Sequence, residues 1–346
     1  MIDIREHGGI FGGGKYRKGS FIPFSKIAPF QPLRFIMYYP NNSYNQGIHR
    51  KYASDETGNV FIPIYEATSP HKILVYDKNG EKINTILWEF STYGAIFGMV
   101  ERNGYLFVFS DGACIKFDIS TGQRIQGDAT SDWRISPSSK IIQKENIVYA
   151  QTTTNSLVKL DLDTFTVISK YIVLSNPAIY LKAIDDNENA YFIGGSGYLL
   201  KYSNTGTLIF NNKLKHTANN TYSCAIYSKT KNSILVVTFD NSLKKGYIEE
   251  WGLDGVFKKE VDISPHLLPS YITTANELFK TNDVLIVCTD AGAILLNEND
   301  LSFIKKIEGV FYSNDHSMYV SNKYIISRYY TGSDTISAYS LGVEII

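Results

Sequence analysis

The sequence predicts an all-β fold assembled from repeated four-stranded units, and three observations lead there. One grammar recurs along most of the chain: Asn or Gly, an apolar run, a short turn, a second apolar run and a polar turn. The ends of the second run recur every 41 to 49 residues, the length of four short strands with their turns. Aromatic residues make up 14% of the chain, with 25 Tyr and 19 Phe, side chains that suit a pleated surface.

The first apolar runs read NVFIPI from 59, GYLFVF from 104, NIVYAQ from 146, NAYFIG from 189, NSILVV from 232, NDVLIV from 282 and NKYIIS from 322. The second runs end at Tyr76-Asp77, Phe117-Asp118, Leu160-Asp161, Tyr202-Ser203, Trp251-Gly252, Leu296-Asn297 and Tyr339-Ser340. Turns rich in Asp, Asn and Gly follow (DKNG, DISTG, SNTG, GLDG, NEND), because these residues tolerate the backbone angles of tight hairpins. Then comes a further strand-like run, such as EKINTILWEF, TFTVISKYIV or LSFIKKIEG. Four strands in this length is the size of a propeller blade, so the expected architecture is an all-β propeller of seven four-stranded blades. Only GVEII remains for the outer strand of the last blade, and PLRFIMYY at 32–39 is the candidate to complete it, since an unclosed ring exposes sheet edges. ANELFKTN near 275 is the nearest approach to an amphipathic helix, and it is short. The expected organisation is an extended N-terminal arm with a closure strand over 1–44 and the propeller over 45–346.

These repeats resemble the broad propeller superfamily of WD40-like, YVTN and quinoprotein-like proteins. The resemblance covers roughly residues 45 to 346. It implies architecture and leaves activity open, because such folds host unrelated functions. The Gly-His and Trp-Asp signatures of WD40 blades are missing, so that subfamily is not assigned.

Composition narrows the class of partner. The 34 basic and 34 acidic residues cancel, whereas a dedicated nucleic-acid or anionic-membrane binder carries a basic excess. Cys114, Cys224 and Cys288 are far apart and odd in number, without metal or redox spacing; each is expected to be a small buried hydrophobe in a reducing compartment. The opening MIDIREHGGI does not read as a signal peptide, and no apolar run reaches the roughly 18 residues of a membrane span. The expected location is the cytoplasm, or a virion if the chain is phage-encoded.

The stretch HGGIFGGGKYRKGS, residues 7–20, approaches a phosphate-binding loop through Gly9, Gly14 and Lys15. Tyr16 stands where such a loop needs Ser or Thr for magnesium, and Pro23, Pro29 and Pro32 prevent one regular helix from following. The better reading is a pliable arm with five glycines, a basic segment and apolar anchors at Phe21, Ile22, Phe24, Ile27 and Phe30. From Arg5 to Arg17 this opening resembles the N-termini of tail-associated proteins of phages and prophages of Gram-positive bacteria. That resemblance implies attachment to a protein partner through Arg5, Lys15, Tyr16, Arg17 and Lys18, with the propeller presented to a host receptor, a surface glycan or a neighbouring virion protein.

Recognisable catalytic motifs are lacking. The six histidines are scattered, and no metal or other cofactor is expected. DNEN at 186–189 and NEND at 297–300 lack the full calcium-loop ligand series and read as hairpin turns. GGSG at 194–197 reads as a tight turn between strands. An aromatic does recur 16 to 20 residues after each second-run end: Tyr93, Trp133, Tyr180, Tyr222, Tyr271 and Tyr312. These either pack between blades or form a collar at one channel mouth that stacks on a ligand such as a sugar ring. The function expected is therefore non-enzymatic binding, in concrete form a phage tail-associated protein. The alternatives are a lactonase-like or sugar-acting propeller enzyme, whose groups come from non-adjacent blades without a linear motif, and a cellular protein-interaction scaffold.

Overall fold

A computed structural model describes residues 37–39, 53–55, 57, 59–64, 71–77, 81–89, 94–128, 134–136, 139–173, 179–195, 197–216, 224–240, 243–267, 275–281, 283–289, 292–308, 318–320, 324–330 and 334–340. These residues build seven four-stranded antiparallel sheets. In chain order the first six are Ala53–Ser54 with Val60–Ile64, His71–Tyr76 and Lys82–Trp88; Ile96–Arg102 with Tyr105–Ser110, Cys114–Asp118 and Arg124–Asp128; Ile142–Lys144 with Ile147–Gln151, Ser156–Asp161 and Thr166–Ile172; Ile179–Ile184 with Ala190–Gly194, Tyr198–Tyr202 and Leu208–Lys213; Cys224–Ser228 with Ser233–Asp240, Lys245–Gly252 and Phe257–Asp262; and Ala275–Thr281 with Val284–Thr289, Gly292–Asn297 and Phe303–Glu308. The seventh holds Met318–Val320, Tyr324–Tyr330 and Asp334–Ser340, and its fourth strand is Met37–Tyr39 from the other end of the chain. Met37 lies opposite Ile336 and Tyr39 opposite Asp334. GVEII lies outside the described residues.

Within each sheet the first strand is innermost, and the inner strands of the first and second, fourth and fifth, and fifth and sixth sheets lie side by side. The second and third strands are covered by sheets on both faces. This is why Leu106–Phe109 and Ile234–Val237 are unbroken apolar runs, buried throughout, instead of alternating with polar residues. Among the described residues, five apolar clusters fill the spaces between successive sheets, from the first pair, where Trp88 and Ile86 meet Leu106 and Ile115, to the fifth and sixth, where Leu235 and Ile248 meet Leu278 and Leu285. Burying each such side chain contributes about 1.5–3 kcal/mol. Cys114, Cys224 and Cys288 are buried among these groups and form no disulfide with one another.

The turns follow from the residues that the repeat supplies. Asn103 and Gly104 both take positive φ, as a two-residue hairpin turn requires. The polar residue at the end of the third strand caps the next turn in several sheets. Asp118 Oδ1 accepts from the Thr121 amide, Asp161 Oδ1 from the Asp163 and Thr164 amides, Ser203 Oγ from the Thr207 amide and Asn297 Oδ1 from the Asn299 amide. GGSG also makes a tight turn, with Gly197 at positive φ donating its amide to the Gly194 carbonyl. The segment nearest to a helical pattern, around 275, is instead the inner strand Ala275–Thr281. Burial of Leu278 between the fifth and sixth sheets, and pairing with Val284–Thr289, override its local preference.

Candidate interaction surface

Antiparallel order puts the turns of each sheet at two ends. The first–second and third–fourth strand turns share one end, called here the turn side. Between Glu250 and Trp251 the pairing of the third and fourth strands shifts by one residue, and the same shift recurs before Tyr76, Phe117, Leu160, Tyr202 and Leu296. These are the repeat ends read from the sequence. Each shift leaves one outer-strand residue unpaired: Ile83, Ile125, Ile168, Ile209, Lys258 and Ile304. Ile83 and Ile125 are each 53% exposed, and Ile168 and Ile209 each 50%. With Val167 and Leu208 beside them, they give the turn-side rim of the first four sheets an exposed apolar character. The signal in the sequence is an isoleucine one residue into the fourth strand; it passes unnoticed there because exposure, not hydrophobicity, makes it unusual.

Inward from the rim, the turn side is laced by lysines that stand immediately before the repeat ends. Lys159 Nζ lies 2.6 Å from Glu188 of the fourth sheet, and Lys201 Nζ donates to the Leu253 carbonyl of the fifth at 2.8 Å. Lys116 adds to the positive field around Asp163, whose carboxyl the Arg102 guanidinium holds below its usual range through a hydrogen bond of 2.6 Å. Buried carboxylates complete the lacing. Asp185, in the turn before DNEN, accepts from the Asn187 and Asn189 amides and from the Tyr191 hydroxyl. Glu298, within NEND, accepts from Ser228 Oγ of the fifth sheet and lies 2.7 Å from Lys280 Nζ. Away from the turn side, Glu249 takes donors from the Lys215 and His216 amides, Thr238 and Trp251, so its carboxylate is buried but fully satisfied. DNEN and NEND are therefore turns, and their acids also join sheets.

At the centre, Lys140 leads into the inner strand of the third sheet. Its ammonium donates to the Leu278 carbonyl on the inner strand of the sixth at 3.0 Å and lies 5.4 Å from the Phe279 ring. Of the aromatic collar, Tyr180 falls within the described residues: it is half-buried on the inner strand of the fourth sheet, with Lys182 Nζ 5.8 Å from its ring. Tyr93, Trp133, Tyr222, Tyr271 and Tyr312 lie outside the described residues, as do the arm residues Arg5, Lys15, Tyr16, Arg17 and Lys18. Among the described residues no group of three or more His, Cys, Asp or Glu is placed to hold a metal ion. Nor is any helix among them long and apolar enough to cross a membrane.

Successive four-stranded antiparallel sheets, each with its first strand innermost, define a β-propeller. Among solved structures, the chain is similar to the WD40 domain of coronin from Toxoplasma gondii, with a TM-score of 0.65, 7% identity, and 91% of this chain and 86% of that one covered. It is similar to a chain of the mitotic checkpoint complex, with a TM-score of 0.63, 10% identity and coverage of 94% and 96%. It is also similar to BamB from Moraxella catarrhalis, with a TM-score of 0.52, 13% identity and coverage of 90% and 95%. At these identities the likeness is one of fold. No family model and no curated protein matches the sequence.

Proposed function

We propose that this propeller is a protein-interaction scaffold. The observation that carries the reading is the exposed apolar rim, where Ile83, Ile125, Ile168 and Ile209 recur at equivalent positions of four sheets. Exposed apolar side chains that recur at one structural position form a surface suited to protein contact, and a sheet buried on both faces gives them a rigid support. One of the solved neighbours is a chain of a multiprotein complex, which accords with a scaffold role for this shape. The test is a photo-crosslinking amino acid placed at Ile125, Ile168 or Ile209 in the full chain within its native cells. Covalent adducts to one discrete protein are expected. Adducts absent from all three positions would reject the scaffold reading.

The finer version, attachment to a phage tail through the arm, is favoured by the likeness of Arg5 to Arg17 to such proteins. Mass spectrometry of induced phage particles from the source cells tests it. A stoichiometric band supports it, and recovery of the protein outside particles alone rejects it while leaving the scaffold reading in place.

A further inference from the structure

We propose that the turn-side rim docks a partner polypeptide segment carrying apolar and acidic side chains, held by side-chain contacts and not by strand addition. This rests on the scaffold reading and names the chemistry of its partner.

The isoleucines are not explained by the bulges themselves. A bulge needs a residue whose backbone can leave the ladder, and the fifth sheet makes the same bulge with Lys258. Isoleucine at the other five positions, four of them half-exposed, is therefore a surface choice. The neighbouring charge is equally one-sided. The six outer strands from Lys82–Trp88 to Phe303–Glu308 carry eight Lys and Arg against four Asp and Glu, in a chain whose basic and acidic totals are equal. Two of those four acids are already taken: Glu260 pairs with Lys215 and His216, and Asp262 with Lys245.

The fifth sheet is the positive pole of this rim, and its bulge makes it so. Successive residues of a regular strand point to opposite faces, but the shift at Lys258 brings both Lys258 and Lys259 to the same carboxylate. Their ammonium groups lie 3.8 and 3.9 Å from Glu250, which Lys231 already approaches at 3.1 Å. Three cations around one buried acid leave positive charge that an acidic partner complements. Bulges and edge lysines are also the devices that prevent a strand from adding to a sheet edge, which excludes strand addition as the mode of docking.

The test uses the full chain and three fluorescein-labelled synthetic peptides of equal length, alternating Leu-Glu, Ser-Glu and Leu-Lys, read by anisotropy at low salt. The Leu-Glu peptide is expected to bind saturably, with the other two weaker by about tenfold or more. K258Q/K259Q is expected to cost about tenfold in Leu-Glu affinity, and so is I168S/I209S, whose substitutions touch no ion pair given above. Circular dichroism melts confirm that each variant is folded. Equal binding of the Leu-Lys peptide, no binding of Leu-Glu, or unchanged affinity in both folded variants would overturn the proposal. A protein crosslinked at Ile168 whose capture K258Q/K259Q leaves unaltered would remove the acidic partner and keep the scaffold. Loss of all crosslinks would remove both.

Discussion

Glu188 shows how a single turn residue joins two sheets. It takes a positive φ in the turn after Ile184 and reaches Lys159, whose hydrogen bond holds the carboxyl below its ordinary 4.5; the Tyr149 hydroxyl adds to this and partial burial opposes it. A depressed carboxyl stabilises the fold fully above its ordinary value, and that contribution fades as pH falls through the folded one. Urea denaturation between neutral pH and pH about 4 should therefore show a larger loss of stability for the parent than for E188Q. Equal losses would show that Lys159 and Glu188 are not coupled. Gly206 makes a steric point at the same scale. Its φ is +87°, and a Cβ there would sit 2.7 Å from Tyr171 Cγ. G206A should cost about 1–3 kcal/mol in denaturant midpoint experiments.

Among the elements, the turns and second strands were the most legible in the sequence, and the connections between sheets the least. Asp77, Asp118, Asp161 and Asn297 declare a turn through local chemistry, and NSILVV declares a strand covered on both faces. The helical leaning of ANELFKTN misleads because pairing and burial of Leu278, neither local, decide its form. The lysines at 116, 159 and 201 stand at one place in the repeat, yet the bonding partners of Lys159 and Lys201 lie in the next sheet and no spacing rule names them. For the candidate site, the aromatic period leads to Tyr180 among the described residues, while the isoleucine period needed the register of the outer strands to emerge. The buried acid of the sixth sheet tests the lacing. E298A removes the acceptor of Ser228 and the partner of Lys280, and should cost about 2–4 kcal/mol of stability; a change below about 0.5 kcal/mol would show that the sheets do not depend on it.

For the molecule as a whole, the two ends of the chain meet in the seventh sheet, where Met37–Tyr39 pairs with Asp334–Ser340. The N-terminal segment is thus part of the fold for at least these three residues. A chain beginning just before Met37 should melt close to the full-length protein. One beginning just after Tyr39 leaves the edge of Asp334–Ser340 unpaired and should melt lower and aggregate sooner on heating. Equal melting of the two truncations would show that the pairing contributes little.

Two lysines of the lacing reach forward along the chain, and this gives their two clasps a direction in time. Lys159 finds Glu188 29 residues later, and Lys201 finds the Leu253 carbonyl 52 residues later. During synthesis the third and fourth sheets leave the ribosome with an outward hand extended to a partner not yet made. These two clasps of the third and fourth sheets can close only once their successors have emerged. The strand that fastens the last sheet has by then been waiting since the start of translation.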